Sequence, residues 1–415
     1  MAVWRDKNRL VFEGEFGLAD LLRPLAGLHQ AVQGAGYEDL VLDFSRCTAA
    51  FAGPMLALCA QVMKLREAGV RSTLVLPEDR KLAGLFRNAN WSHFIDPETY
   101  ATSAFRGHTQ VPATQFRNAE EQQRAVNRIV NAILGAIPEL ERKNLAALEW
   151  SVNEITDNVL NHSASKIGGL VQVSTFQARR KRVEYIVADA GVGIPTTLRG
   201  SRLQIASDAD ALDQAIREGV TRDPAFGQGN GLFGSYQICS HSKGFFQLES
   251  GHGKLVFTER AGLHISTEKI PFDGTLVAAQ VDFSVPDLLA EALKFGGRPH
   301  SPTDFVELHY EQDGGQPVLF VLKDEAPSFG SRTAGTPVRT KLANLARMCP
   351  GERIAVDFSS VPLVSSSFAD EVFGKLFVEL GPLAFMQRFE LRHVDTTVQQ
   401  LIDKAIAQRM ASPRG

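Results

Sequence analysis

The 415-residue chain lacks any run of about 18 uninterrupted apolar residues, the length that a membrane-spanning helix needs. Its opening residues, MAVWRDKNRLVFEGEF, lack the basic start and apolar stretch of a secretory signal. A cytoplasmic protein with no membrane partner is therefore expected. Cysteine is scarce: Cys47, Cys59, Cys239 and Cys349 are far apart, with no Cys-x-x-Cys pair and no Cys/His cluster. Such spacing suggests buried thiols in a reducing compartment rather than a zinc site or a redox pair. Excess charge is also missing. Forty-four Lys and Arg against 47 Asp and Glu leave a formal charge of −3, so nothing global draws the chain to polyanions and no nucleic-acid partner is expected.

What is present is ordinary globular composition, with 44% hydrophobic and 22% charged residues, and a length that suits two or three domains. Through the first hundred residues strand and helix patterns alternate. A strand near Arg9 to Phe12 precedes an amphipathic helix from Leu18 to Val32, then an apolar strand from Leu40 to Phe44. A helix from Pro54 to Ala68, a strand from Ser72 to Leu76 and a helix holding Leu82, Leu85 and Phe86 follow. Thr99 to Gln115 has no periodicity and reads as a linker.

From about Phe116 to Phe283 two long amphipathic helices come first, then strands broken by glycine. In the second helix Leu145, Leu148, Val152, Ile155 and Val159 form a buried stripe, while Glu154, Asn158 and Asn161 share another face. Strands are expected at Leu170 to Phe176 and Val183 to Ala188, the second ending at Asp189. The region after Val285 suggests a hairpin from Phe305 to Leu322, turning at Asp313, Gly314 and Gly315. Its later part repeats the first region: Leu42-Asp43-Phe44-Ser45 and Val356-Asp357-Phe358-Ser359 each sit on an apolar strand that leads into a loop and a helix.

Three elements of the central region carry usable chemistry. Glu154 and Asn158, four apart on a helix, project side by side, so the carboxylate can take a proton from a nucleophile while the amide oxygen meets a magnesium ion held by phosphates. Asp189, at a strand end beside Gly191 and Gly193, can accept a hydrogen bond from an exocyclic amine such as adenine's. Gly227-Gln-Gly229-Asn-Gly231-Leu-Phe-Gly234 opens a helix whose N-terminal N–H groups favour phosphate. Singly each has a plainer reading as a solvated pair, a turn or loop punctuation; their order and spacing make the set specific. Two rivals fail. A dinucleotide fingerprint needs a buried strand just before Gly229-x-Gly231-x-x-Gly234, but the preceding segment is polar and broken by Pro224. A Walker loop needs a lysine followed by Ser or Thr, which closes neither glycine cluster.

The three elements resemble the asparagine box and two glycine boxes of the GHKL superfamily, the ATPases of gyrase, Hsp-type chaperones, histidine kinases and mismatch-repair proteins. The resemblance covers roughly Gln115 to Val285 and includes Gly274-Thr275 in the last strands. It implies ATP and Mg2+ as cofactors, with Glu154 as general base, Asn158 as magnesium ligand and Asp189 as adenine acceptor. Gly191 and Gly193 would then hinge the base pocket, Gly229, Gly231 and Gly234 would lie at the phosphates with Thr275 nearby, and Pro195 to Phe226 would form a mobile lid. A histidine autokinase is disfavoured, because the helix from Ala119 to Leu134 carries no histidine; His108 and His162 are not assigned roles, and Arg179 to Arg182 reads as a solvated turn.

The flanks carry resemblances as well. Residues 1–100 are similar to a divergent STAS domain, the fold of anti-sigma-factor antagonists, and residues from about 303 onward resemble a STAS-like family of unknown function through Ser328, Arg332, Gly335 and Ser365 to Glu371. In regulatory STAS domains a serine ten residues after the strand aspartate is phosphorylated by a GHKL serine kinase. Counting from Asp43 reaches Gly53, without a hydroxyl; counting from Asp357 reaches Ser367, which makes Ser367 the phosphoacceptor candidate. Ser365 to Ser367 serve equally well as a helix cap, and Arg332 neighbours them if Ser328 to Thr336 folds alongside.

The expectation is thus an α/β (α+β) protein of three domains: STAS-like at 1–105, a Bergerat-type ATP-binding sandwich at 106–285 and STAS-like at 286–415. A Mg-ATP-dependent serine kinase or anti-sigma-type regulator acting on a STAS-type or other regulatory partner is the first functional reading. An ATP-hydrolysing switch that remodels its flanking domains or forms a homodimer is the second, and a scaffold that binds nucleotide without turnover is the third.

Overall fold

A computed structural model describes residues 2–103, 110–176, 181–201, 203–220, 229–285, 288 and 292–411. Gly227, His108, Arg179, Arg180 and the expected lid's residues 202 and 221–226 lie outside the described residues.

The N-terminal unit contains β1 (Ala2–Asp6), β2 (Arg9–Phe16), α1 (Leu22–His29), β3 (Asp39–Ala50), α2 (Ala52–Glu67), β4 (Arg71–Val75), α3 (Arg80–Asn88) and α4 (Trp91–Ile95). Its sheet runs β1-β2-β3-β4, with β1 antiparallel and the other three strands parallel. Pro54 sits in the first turn of α2, where its missing N–H has no intrahelical acceptor to lose.

The central unit opens with a strand where the sequence suggests a linker. Gln110–Phe116, within the segment expected to be a linker, is strand β5, paired antiparallel with its neighbour. Pro112 interrupts its short alternation of apolar and polar residues, which conceals it. Then come α5 (Ala119–Ala136), α6 (Arg142–His162), β6 (Gly169–Phe176), β7 (Arg182–Asp189), α7 (Gly193–Arg199), α8 (Asp208–Ala215), α9 (Gly231–His241), β8 (Phe245–Thr258) and β9 (Gly262–Asp282). The strands form one antiparallel sheet in the order β5-β6-β7-β9-β8. Asn118 caps α5 by accepting from the Glu121 N–H, while the Glu121 carboxylate accepts from the Arg117 N–H.

In the C-terminal unit the expected hairpin from Phe305 to Leu322 is not formed. Phe305–His309 is a helix, α10, whose N-cap Asp304 accepts from the Glu307 N–H, and only Val318–Val321 is a strand. The Asp304 cap outweighs the strand pattern, and Gly314 and Gly315 lie in a short turn before the strand. A small hairpin, β10 (Lys294–Phe295) with β11 (Arg298–Pro299), precedes it. After α10 come β12 (Val318–Val321), α11 (Leu322–Glu325), α12 (Arg332–Met348) and β13 (Ile354–Asp357). A helix built from Ser366–Ala369, a π turn Asp370–Gly374 and Lys375–Leu380 is α13, followed by α14 (Pro382–Arg388), β14 (Phe389–Arg392) and α15 (Thr396–Ala411). The sheet β12-β13-β14 is parallel, as β2-β3-β4 is. Both sequence repeats close the same turn: the Ser45 N–H donates to Asp43 at 2.9 Å, and the Ser359 N–H to Asp357 at 2.8 Å.

The three units do not have three cores. The N-terminal core continues through Leu170, Ile186, Ala188, Leu276 and Ala278 of the central sheet, so α2 covers one face of that sheet. A second core joins the other face, with α5, α6 and α9, to the C-terminal strands and helices. Buried polar contacts fix both seams. At the first seam the Trp91 indole N–H donates to Gln172 at 2.8 Å; at the second the Lys341 stem lies against Gly135 of α5 while its ammonium pairs with Glu325 of its own unit at 2.6 Å. Asn344 Nδ2 donates to the carbonyls of Leu134 (2.9 Å) and Ile137 (2.8 Å), while its Oδ1 accepts from the Leu140 N–H (3.1 Å).

Asn344→Ala would leave three backbone groups at the end of α5 without partners in a dry seam. Urea titration should show a loss of about 3 kcal/mol; a loss below about 0.5 kcal/mol would mean that the seam admits water and the two units are not fastened there.

Candidate functional site

The apolar stripe of α6 lies in the core, with Leu145, Leu148, Val152, Ile155 and Val159 all buried. That orientation turns Glu154 and Asn158 to a neighbouring face, half-buried, where both line a cavity of about 410 Å³. Asp189, Gly193, Gly229, Gly231 and Thr275 line the same cavity. Gly191 and Gly234 do not. A Cβ on Gly191 would fall 2.0 Å from the Ser163 carbonyl oxygen, and one on Gly234 would fall 2.4 Å from the Trp150 ring, so both permit close packing beneath the cavity wall.

Asp189 ends β7 with only 1% exposure. The Gly191 N–H donates to its Oδ1 at 2.7 Å, and the Thr275 N–H and hydroxyl also donate to the carboxylate. Burial outweighs these bonds and the distant charge of Lys64, and pushes the carboxyl up to about 7. Burial also raises Glu154, aided by the charge of Asp157, which makes its carboxylate a better proton acceptor.

Ser250, buried on β8, ties the loop after β7 to β9. Its Oγ accepts from the Ile194 N–H at 2.9 Å and donates to the Gly274 carbonyl at 2.6 Å. Gly193 requires its glycine twice over: φ is +76°, and a Cβ would lie 2.6 Å from Ser250 Oγ. Gly274, at φ +94°, lies so close that a Cβ would stand 2.7 Å from Asp189 Oδ1.

Helix α9 starts against the α6 pair. A Cβ on Gly231 would fall 2.6 Å from Glu154 Oε2 and 3.3 Å from Asn158 Nδ2. The first N–H groups of a helix have no intrahelical acceptors, so this end presents donors and positive dipole beside a carboxylate and an amide. The side chains of Glu154 and Asn158 have no hydrogen-bond partner among the described residues. An amide left free in a cavity fits a ligand of Mg2+. Among the described residues no group of three His, Cys, Asp or Glu could hold a metal ion, so an ion here would draw on Asn158 and the oxygens of a bound phosphate.

Trp150, Phe295 and His300 extend one wall of the cavity and were not foreseen. The Phe295 ring lies 5.9 Å from Trp150 and 5.6 Å from His300, and the Gly296 N–H donates to Glu218 in the segment after α8. Gly296-Gly297 between short runs is a hairpin signature that would have located this strap. Of the expected lid, α7 and α8 are described, with Arg199 paired to Asp208 at 2.5 Å.

Ser367 is elsewhere. Ser365 caps α13 by accepting from the Phe368 N–H at 3.0 Å, while Ser366 and Ser367 are exposed in a groove with Arg332, Asp370, Gln408 and Arg409. The Ser365 N–H donates to Phe329 at 2.9 Å, which brings Ser328 to Thr336 alongside. Both arginines already pair with Asp370, at 3.0 and 2.7 Å. The groove and the cavity share no lining residue. Gly53 is buried in the first turn of α2, where a Cβ would fall 2.8 Å from Leu18.

Because the folded Asp189 carboxyl has its pKa raised from 3.8 to about 7, the folded chain holds that proton more tightly than the unfolded chain. Stability is therefore withdrawn as pH rises through that window. Asp189→Asn should stabilise the ligand-free protein by about 2 kcal/mol at pH 8, with the gain shrinking as pH falls toward 4. Calorimetric melting from pH 5 to pH 8 checks it; a gain independent of pH would show that Asp189 is not the titrating group.

Among the described residues no helix is long and apolar enough to cross a membrane. No curated protein matches the chain. A family model does match its C-terminal part: residues 334–399 are a STAS-like domain of unknown function (DUF4325), a span that runs from α12 through β13 and α13 into α15.

Proposed function

We propose that the central unit is a GHKL-type ATP-binding domain, that the N-terminal unit is a divergent STAS-like domain, and that the chain is a regulatory protein using Mg-ATP on STAS-type domains. One observation carries this reading: Glu154 and Asn158, without hydrogen-bond partners among the described residues, line the same cavity as Asp189, Thr275 and the glycine-rich start of α9. Asp189, polarised by Gly191 and Thr275, accepts from the adenine amine. The α9 N-terminus receives phosphate oxygens. Asn158 would hold a magnesium ion through its amide oxygen, and the ion would supply charge neutralisation to the phosphates.

In the favoured reaction a serine Oγ attacks the γ-phosphorus, the bond to the β–γ bridging oxygen breaks, ADP leaves, and the serine proton passes to the Glu154 carboxylate. Ser367 or a serine of a separate STAS-type partner is the acceptor. A second reading, in which water attacks and hydrolysis drives a conformational switch, has its own support. Both flanking units share cores with the central sheet, and the Ser366–Ser367 groove is lined by none of the cavity's residues.

Incubation with γ-labelled ATP and magnesium, with and without a STAS-type partner, separates the two. Label on protein, mapped by mass spectrometry to Ser367 or to the partner and absent in Asn158→Ala, is the expected result; free phosphate alone would transfer the reading to the switch. Glu154→Ala should keep nucleotide affinity and lose turnover by about a hundredfold. Asp189→Asn should weaken binding at least tenfold. If calorimetry detects no nucleotide binding to the wild-type chain, the ATP assignment is wrong.

A further inference from the structure

Helix α2 does more than cover the sheet. The Gln61 amide donates to the Asp273 carbonyl at 2.7 Å, and Lys64 Nζ pairs with the Asp273 carboxylate at 2.8 Å. The residue after Asp273 is Gly274, whose carbonyl accepts from Ser250 and whose backbone lies against Asp189; the next is Thr275, which donates to Asp189. Ser250 in turn accepts from the Ile194 N–H at the start of α7. A continuous series of hydrogen bonds and adjacent residues thus leads from the N-terminal unit to the root of the lid: Gln61 and Lys64, Asp273, Gly274, Ser250, Ile194.

We infer that Gln61 and Lys64 are positioning residues for the base end of the cavity, so that the N-terminal unit sets the affinity of the central unit for its nucleotide. This inference rests on the ATP-binding reading. The two contacts divide the work. Lys64 and Asp273 are each 43% exposed, so solvent screens their attraction and the pair mainly selects an orientation. Gln61 is 7% exposed and grips a backbone carbonyl, so it fixes the height of the β9 backbone beneath Asp189. Gly274 makes that height consequential, because its φ of +94° and its approach to Asp189 leave no slack for the strand to slide. Lys64 also brings a positive charge toward Asp189, which favours the ionised acceptor. The other charged or titratable groups facing that end are Asp157 and His162 on α6, with Glu154 further along the cavity. By linkage, nucleotide in the cavity would stiffen the α2 contact, and a partner that displaces α2 would expel nucleotide.

Two arms test this, and they fail separately. In nucleotide-free protein, hydrogen exchange at the Ile194 and Thr275 amides should rise about tenfold in Gln61→Ala and in Lys64→Ala, with β6 and β7 amides unchanged. Unaltered exchange at Ile194 and Thr275 in both variants would overturn the inference whatever the ligand is. In the second arm, calorimetry with Mg-ATP from pH 6 to pH 8 should show three- to tenfold weaker binding in Lys64→Ala, with the pH midpoint of affinity moved upward and restored by Lys64→Arg. A purely structural role for Lys64 would change melting temperature and leave that midpoint in place. Absence of binding by the wild-type chain would condemn the ATP reading while the exchange result stands.

Discussion

Where β6, β7 and the C-terminal part of β9 pair, they send apolar side chains alternately to opposite faces, and both faces are covered by packed side chains. Val183, Tyr185 and Val187 enter the core with α5, α6 and α9, whereas Ile186 and Ala188 enter the N-terminal core with α2. An antiparallel sheet ordinarily keeps one face solvated. Here each large apolar residue on the second face is worth about 1.5–3 kcal/mol only while α2 remains seated. That double burial couples the three units. The N-terminal unit cannot leave without uncovering Leu170, Ile186 and Leu276, and the C-terminal unit cannot leave without breaking the Asn344 contacts to Leu134 and Ile137 at the end of α5. Whatever happens in the central cavity is therefore transmitted to, or resisted by, both flanks.

How much of this was legible in the sequence depended on the range of the interaction. Residues placed by one periodic element were legible: the α6 stripe fixed the orientation of Glu154 and Asn158, and the strand ending at Asp189 fixed its position. Residues placed by neighbours distant in sequence were not. Strand β5 is defined by its pairing with β6 and not by its own pattern, and Phe295 and His300 reach the cavity through a hairpin far along the chain from α6. The interdomain burial of α2 did leave a trace. Ala52 to Met63 are buried without interruption, and a helix apolar on every side must be covered on every side.

The cavity gathers several departures from local rules within one concave site. Asp189 is ionisable and buried, Gly193 and Gly274 hold left-handed backbone, and Glu154 and Asn158 face the cavity with no hydrogen-bond partner among the described residues. Each lowers stability, and none is needed to pack the sheet. Concentration of such costs in one concave site is the physical mark of a surface shaped for a ligand. The buried seams show the contrast, since Asn344 and Lys341 are polar, buried and bonded there.

The two flanking units share a strand order and a turn yet use the following helix in opposite ways. After Asp43 the chain enters α2, whose first turn carries Gly53 against Leu18 and is buried; no side chain fits there, and no partner can reach it while the sheet is covered. After Asp357 the chain enters α13, whose first turn carries exposed Ser366 and Ser367 beside Arg332 and Arg409. Burial thus dictates a division of labour. The helix of the N-terminal unit packs on the central sheet, whereas the C-terminal helix start is exposed, with Arg332 and Arg409 held by Asp370 beside it. Of the two helix starts that follow the repeated turn, the C-terminal one is exposed and the N-terminal one is buried.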